Sequence, residues 1–80
     1  MISCDVYKSN RRSFMYLYVN ADSGLARVPE ALLRTFGEPE FVLSIELTPE
    51  RALAKEDPRR VMDNLALQGY HLQMPPIEAL

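Results

Sequence analysis

Ile2-Ser3-Cys4-Asp5-Val6-Tyr7-Lys8, followed after a polar gap by Phe14-Met15-Tyr16-Leu17-Tyr18-Val19, decides how this chain folds. Both runs are rich in branched and aromatic side chains, which suit a pleated, half-buried surface. Between them, Ser9-Asn10-Arg11-Arg12 is polar and of hairpin-loop length. A loop of those four residues sets Tyr7 opposite Phe14, Asp5 opposite Tyr16 and Cys4 opposite Leu17. One face then collects Ile2, Cys4, Val6, Met15, Leu17 and Val19. The other collects Ser3, Asp5, Tyr7, Phe14, Tyr16 and Tyr18. Because side chains alternate along a strand, an odd slip would mix the two sets. The even register therefore predicts one apolar face and one aromatic face with polar tips.

Beyond the hairpin, Asn20 to Leu25 carries Asp22, Ser23 and Gly24 and reads as a loop. Pro29 suits the first turn of a helix, where its missing N–H is not needed. Val28, Leu32, Leu33 and Phe36 have helical spacing, and Gly37 and Pro39 end the run. Phe41, Leu43, Ile45 and Leu47 alternate with Val42, Ser44 and Glu46, which marks a third strand. Thr48-Pro49 predicts a helical turn with Thr48 as N-cap, and Asp57-Pro58 gives a second such signal. Val61, Met62, Leu65 and Ala66 form an apolar stripe closed by Gly69, whose backbone can turn left-handed after a helix. Tyr70, Leu72 and Met74 then alternate with His71 and Gln73 as a fourth strand. Pro75-Pro76 cannot continue a hydrogen-bond ladder and reads as a stop, or as a short polyproline II segment.

The order β-β-α-β-α-β predicts an α/β domain, a four-stranded mixed sheet with helices packed on it. The span of roughly 22 residues between the third and fourth strands admits a crossover helix, right-handed if those strands are parallel. Cys4, Val6, Leu17, Val19, Leu43, Ile45 and Leu72 are the expected core, in one cluster. The domain is expected over 1–76, with 77–80 as a loose tail; the natural chain can extend beyond Leu80.

Eighty residues make one domain. A chain of that size buries roughly 60–65% of the surface its unfolded form exposes, enough to fold alone. The net charge is −2, which argues against non-specific phosphate binding. Cys4 is the only cysteine, so there is no intrachain disulfide and no all-cysteine zinc site. A free thiol fits a reducing cytoplasm. No basic segment precedes a long apolar run, and no apolar run approaches the ~20 residues a membrane helix needs. A cytoplasmic protein without a membrane contact is expected.

Reaction chemistry is absent from the pattern. Gly24, Gly37 and Gly69 are too scattered for a phosphate loop. Cys4 and His71 could pair as nucleophile and base, but Cys4 falls on the apolar face and reads as a buried structural thiol. One Cys and one His do not make a metal set without well-spaced carboxylates. No catalytic residue, cofactor or metal is expected, and no enzyme. Tyr7, Phe14, Tyr16 and Tyr18 are the candidate contact residues, since such a face can stack unpaired bases. Lys8, Arg11 and Arg12 at the hairpin tip would meet phosphates or a protein partner. The plainer reading covers that face with a helix and gives the tyrosine hydroxyls buried partners such as Asp5. Arg51, Arg59 and Arg60, among Glu50, Glu56, Asp57 and Asp63, read as a solvated, salt-bridged surface. Glu46 and His71 could pair if their strands are neighbours.

Five segments in order resemble the YcgL family of small gammaproteobacterial proteins. They are Cys4-x-Val6-Tyr7-Lys8-Ser9; Tyr16-Leu17-Tyr18-Val19; Val28-Pro29-x-x-Leu32-Leu33-x-x-Phe36-Gly37-x-Pro39; Leu47-x-x-x-Arg51-x-Leu53-Ala54; and Gln68-Gly69-Tyr70-x-Leu72-Gln73-Met74-Pro75-Pro76. The resemblance implies an α/β/α sandwich and no known activity, so it brings no catalytic or binding residues with it. Some members are encoded near a ribonuclease D gene, which points toward RNA metabolism. Members often continue past the proline pair with a polar tail. The combined reading is a small cytoplasmic interaction module without enzymatic activity, its protein partner and oligomeric state unknown. The alternative is an RNA-binding accessory protein using the aromatic face and the basic tip.

Overall fold

The chain forms β1 (Ile2–Lys8), β2 (Tyr16–Asn20), α1 (Glu30–Phe36), β3 (Glu40–Leu47), α2 (Pro58–Gln68) and β4 (Tyr70–Gln73), in the order the sequence predicts. This is a computed structural model, and it describes residues 2–53 and 56–75. The expected tail 77–80 and the Pro76 half of the proline stop lie outside the described residues.

The four strands make one sheet in the order β3-β1-β2-β4. Every neighbouring pair is antiparallel, so the expected mixed sheet is corrected. The β1–β2 hairpin takes the two central places, which leaves β3 and β4 at opposite edges. The connection through α2 crosses the width of the sheet and never makes a parallel pair.

The hairpin register is also corrected, by an odd slip. Tyr7 lies opposite Leu17, Val6 opposite Tyr18 and Cys4 opposite Asn20. The loop runs from Ser9 to Met15 rather than over four residues. Its length is set by hydrogen bonds at Ser9. The Ser9 N–H donates to the Met15 carbonyl at 3.0 Å. Its hydroxyl oxygen accepts from the Arg11 and Arg12 N–H groups, each at 3.0 Å, and donates to the Phe36 carbonyl at 2.5 Å.

This slip divides the expected core between the two faces of the sheet. Cys4, Val6 and Tyr18 pack with Leu47 and with Val61 and Leu65 of α2. Met15, Leu17 and Val19 pack on the other face with Val28 and Phe36, backed by Leu72. Ile45 is half-buried at the margin of the first cluster, and Leu43 is exposed. The two helices thus cover opposite faces, giving the α/β/α sandwich implied by the resemblance.

Local signals at the helix ends hold where they rest on one residue's geometry. The Asp57 carboxylate caps α2 by accepting from the Arg59 N–H at 3.0 Å, with Pro58 in the first turn. Gly69 ends α2 in the left-handed region at φ 89°, its N–H donating to the Asn64 and Leu65 carbonyls. Gly37 follows α1 at φ 86°. Pro29 is the N-cap of α1 rather than a residue of its first turn. Thr48-Pro49 makes a turn closed by the Arg51 N–H on the Thr48 carbonyl, not a helix. Without an amphipathic stripe behind it, a cap and a proline cannot repay helix nucleation.

Gly69→Ala should cost about 1–2 kcal/mol from the left-handed backbone alone. A Cβ there would also lie 2.6 to 2.8 Å from Arg27 Nε, Cδ and Cβ, and the last of these cannot swing away by a rotamer change, so a steric cost adds to the strain. Urea unfolding measures the loss. An unchanged midpoint in Gly69→Ala would falsify the capping role.

Candidate interaction cleft

Eleven residues of α2 extend about 16 Å, too short to roof the whole sheet face. The helix covers the end where Asn20 Nδ2 donates to the Leu65 carbonyl and Asn64 meets His71. Toward the hairpin tip the same face is open, leaving a cleft of about 370 Å³. Val6, Leu43 and Ile45 form its floor with the rings of Tyr16 and Tyr18, while Phe14, Arg51 and Leu53 rise around it. The volume falls within the roughly 300–1,000 Å³ of ligand pockets. Phe14 is 61% exposed, Leu43 43% and Val42 40%.

The lip of the cleft is strained. Phe14 has φ 64° and is the one non-glycine residue in the left-handed region among the described residues. A bulky side chain there is an outlier that the surrounding structure must enforce. The residue is held in place by the Ser9–Met15 loop, which presents its ring beside the apolar floor.

The candidate contact residues divide. Phe14, Tyr16 and Tyr18 line the cleft together. Tyr18 is buried in its floor, and its hydroxyl donates to Gln73 Oε1 at 2.9 Å rather than reaching Asp5. Tyr7 is on the opposite face, edge-on to Phe41 with ring centres 5.8 Å apart, because the odd register turns it away. Lys8 pairs with Glu40 at 3.6 Å. Arg11 Nη1 donates to the Arg34 carbonyl at 3.0 Å, so it serves the end of α1. Arg12 is exposed at the tip. The sequence reading missed Val42, Leu43, Arg51 and Leu53 as cleft residues. A signal existed in the third strand, where Val42 and Leu43 are consecutive apolar residues that one alternating face cannot both bury.

A model of the YcgL domain matches residues 4–76. A YcgL domain-containing protein of Pseudomonas aeruginosa is 59% identical over 75 residues, covering 94% of this chain and 77% of the relative. Another from Pseudomonas putida is also 59% identical, and one from Azotobacter vinelandii 56%, with the same coverage. The chain belongs to the YcgL family.

The considered Cys4–His71 pair is not brought together in this YcgL domain. Cys4 is fully buried on β1, and β2 separates it from the β4 strand that bears His71. Burial is the main cause that pushes the Cys4 thiol up from 9.0 to about 12, so the nucleophilic thiolate is suppressed near neutral pH. His71 is buried with Nδ1 2.8 Å from Asn64 Nδ2 and Nε2 3.4 Å from Glu56 Oε1. If the Asn64 amide donates, the ring proton is on Nε2, facing Glu56. His71 Nε2 makes no hydrogen bond among the described residues. The considered Glu46–His71 pair does not form: their strands are at opposite edges, and Glu46 accepts from the Ser3 hydroxyl at 2.9 Å. Among the described residues, no three His, Cys, Asp or Glu side chains gather to hold a metal ion. No helix among them is long and apolar enough to cross a membrane.

Burial of two acids on the α2 face gives stability a direction with pH. The thiol of Cys4 is raised from 9.0 to about 12, and burial likewise raises Tyr18 from 10.0 to about 12, with the Glu56 charge adding to it. The folded chain holds both protons where the unfolded chain releases them. Their contribution is complete below pH 9 and is lost as pH rises toward about 12. Urea midpoints measured from pH 8 to 11 should fall, and Cys4→Ala should flatten that slope even though the cavity lowers every midpoint. Equal slopes would remove Cys4 as a cause.

Proposed function

We propose that this YcgL domain is a cytoplasmic, non-enzymatic interaction module that recognises a protein partner through the cleft beside Phe14. The carrying observation is the open apolar end of an otherwise covered sheet face, with a strained and exposed phenylalanine at its lip. Strain of this kind costs of order 1–3 kcal/mol and collects at binding sites. Apolar surface left uncovered beside a packed core marks an interaction site more often than a defect. A buried free thiol suits a reducing compartment.

An RNA platform draws less support. Of the seven residues that would form it, Tyr7 faces away, Tyr18 is buried, Lys8 is paired and Arg11 serves α1. Phe14, Tyr16 and Arg12 are what remains for bases and phosphates.

Phe14→Gly relieves the left-handed strain, so its thermal midpoint should match or exceed that of the wild type while partner binding is lost. Binding is read in native cells with a benzophenone side chain in place of Phe14. The reading requires a protein adduct that survives nuclease, is absent from a probe in place of Leu67 and disappears in a folded Leu43→Asp background. Nuclease-sensitive adducts would favour RNA. Adducts indifferent to Leu43→Asp would remove the cleft from the interaction.

A further inference from the structure

The cleft has a polarity and an open backbone edge, and together they describe its occupant. Among the described residues Arg51 is the one charged residue that lines it, in a chain whose acidic residues outnumber its basic ones by 11 to 9. Among the described residues no carboxylate joins the lining, and the Arg51 guanidinium has no ion-pair partner. The Tyr16 hydroxyl likewise makes no hydrogen bond among them. Among the described residues, the charge beside this apolar floor is positive, and it and the Tyr16 hydroxyl are unpaired there.

The floor is also the edge of the sheet. Among the described residues β3 has a neighbour only on the β1 side, and Val42, Leu43 and Ile45 of β3 line the cleft. The register with β1 is irregular between Val6 and Tyr7, where Val42 is the extra residue, but Leu43–Leu47 pair regularly with β1. That stretch offers backbone N–H and C=O groups along its outer side. An added strand supplies affinity through the main chain, and it directs alternate side chains to one face.

We infer that the cleft takes an extended segment of a protein partner, added as a fifth strand along β3. A bulky apolar side chain of the segment fills the cleft, and a carboxylate at an alternate position meets Arg51. Guanidinium and carboxylate match in shape as well as charge. This inference rests on the reading of the cleft as the recognition surface. A polyanion is a poorer fit, because one arginine makes no phosphate track.

Selection of short random displayed peptides on the full chain, with counter-selection on Leu43→Asp, tests it. The enriched peptides should carry Asp or Glu at an alternate position from Leu, Ile or Phe. Arg51→Glu should weaken the enriched peptide by about tenfold or more, and exchanging its acid for Lys should restore binding to that variant. N-methylation of the peptide backbone should abolish binding at alternate amides and spare those between. Phe14→Gly should weaken the same peptide, which guards against a folding fault in Leu43→Asp. A consensus without an acid, indifference to Arg51→Glu, or tolerance of methylation at every amide overturns the inference. So does poly(U) binding at the cleft, or a dimer in sedimentation that Leu43→Asp dissolves, since RNA or a second copy would then be the occupant. If adducts at position 14 still depend on Leu43 while the peptides fail, the cleft reading stands and only the strand-addition inference falls.

Discussion

Ser9 fixes the register on which the rest of the sheet depends. Its N–H closes the hairpin on Met15, and its hydroxyl gathers two loop N–H groups while donating to Phe36 at the end of α1. The last carbonyls of a helix lack internal partners, so the Phe36 carbonyl gains what it would otherwise take from water. Asn10 Oδ1 accepts from the Glu38 N–H at 3.1 Å, and Arg11 reaches the Arg34 carbonyl. The hairpin tip is thereby tied to α1 through hydrogen bonds that satisfy its C-terminal end. Residues that look like an exposed basic tip in the sequence are largely the joint between hairpin and helix.

The register was not legible because both faces of the sheet are covered. Alternation selects a register when one face is dry and the other wet. Here Leu17 and Val19 face α1 while Tyr18 faces α2, and all three are buried. Such a strand reads apolar throughout, and an odd slip keeps the count of apolar residues on each face tolerable. The even register sorts aliphatic from aromatic side chains, a distinction the core does not make. Elements and caps were legible for the opposite reason. Asp57, Pro58 and Gly69 act through the geometry of one turn, and no distant residue can revise them.

The cleft was half legible. The sequence pattern groups Phe14, Tyr16 and Tyr18, and they do share a site. Their companions come from β3 and from Arg51 to Leu53, which reach the same place only because α2 stops short and Thr48-Pro49 turns instead of starting a helix. That placement depends on which strand lies beside β1, and no local pattern carries it. Tyr7 shows the converse. Its sequence neighbours suggested the aromatic group, and the odd slip placed it against Phe41 on the far side.

A strand edge with three exposed apolar residues, Phe41, Val42 and Leu43, invites uncontrolled pairing. The chain restrains it in ways that leave the cleft intact. Val42 interrupts the ladder as a bulge, which twists the edge away from a flat partner. Glu40 and Glu46 stand at the two ends of β3, so a second copy laid antiparallel with Leu43 opposite Leu43 would bring Glu40 against Glu46. Like charges directly opposite each other destabilise a pair of strands. The same charges do not oppose a segment whose carboxylate sits at Arg51. Bulge and charge together thus disfavour self-pairing in that register without closing the edge, which is what a recognition strand requires.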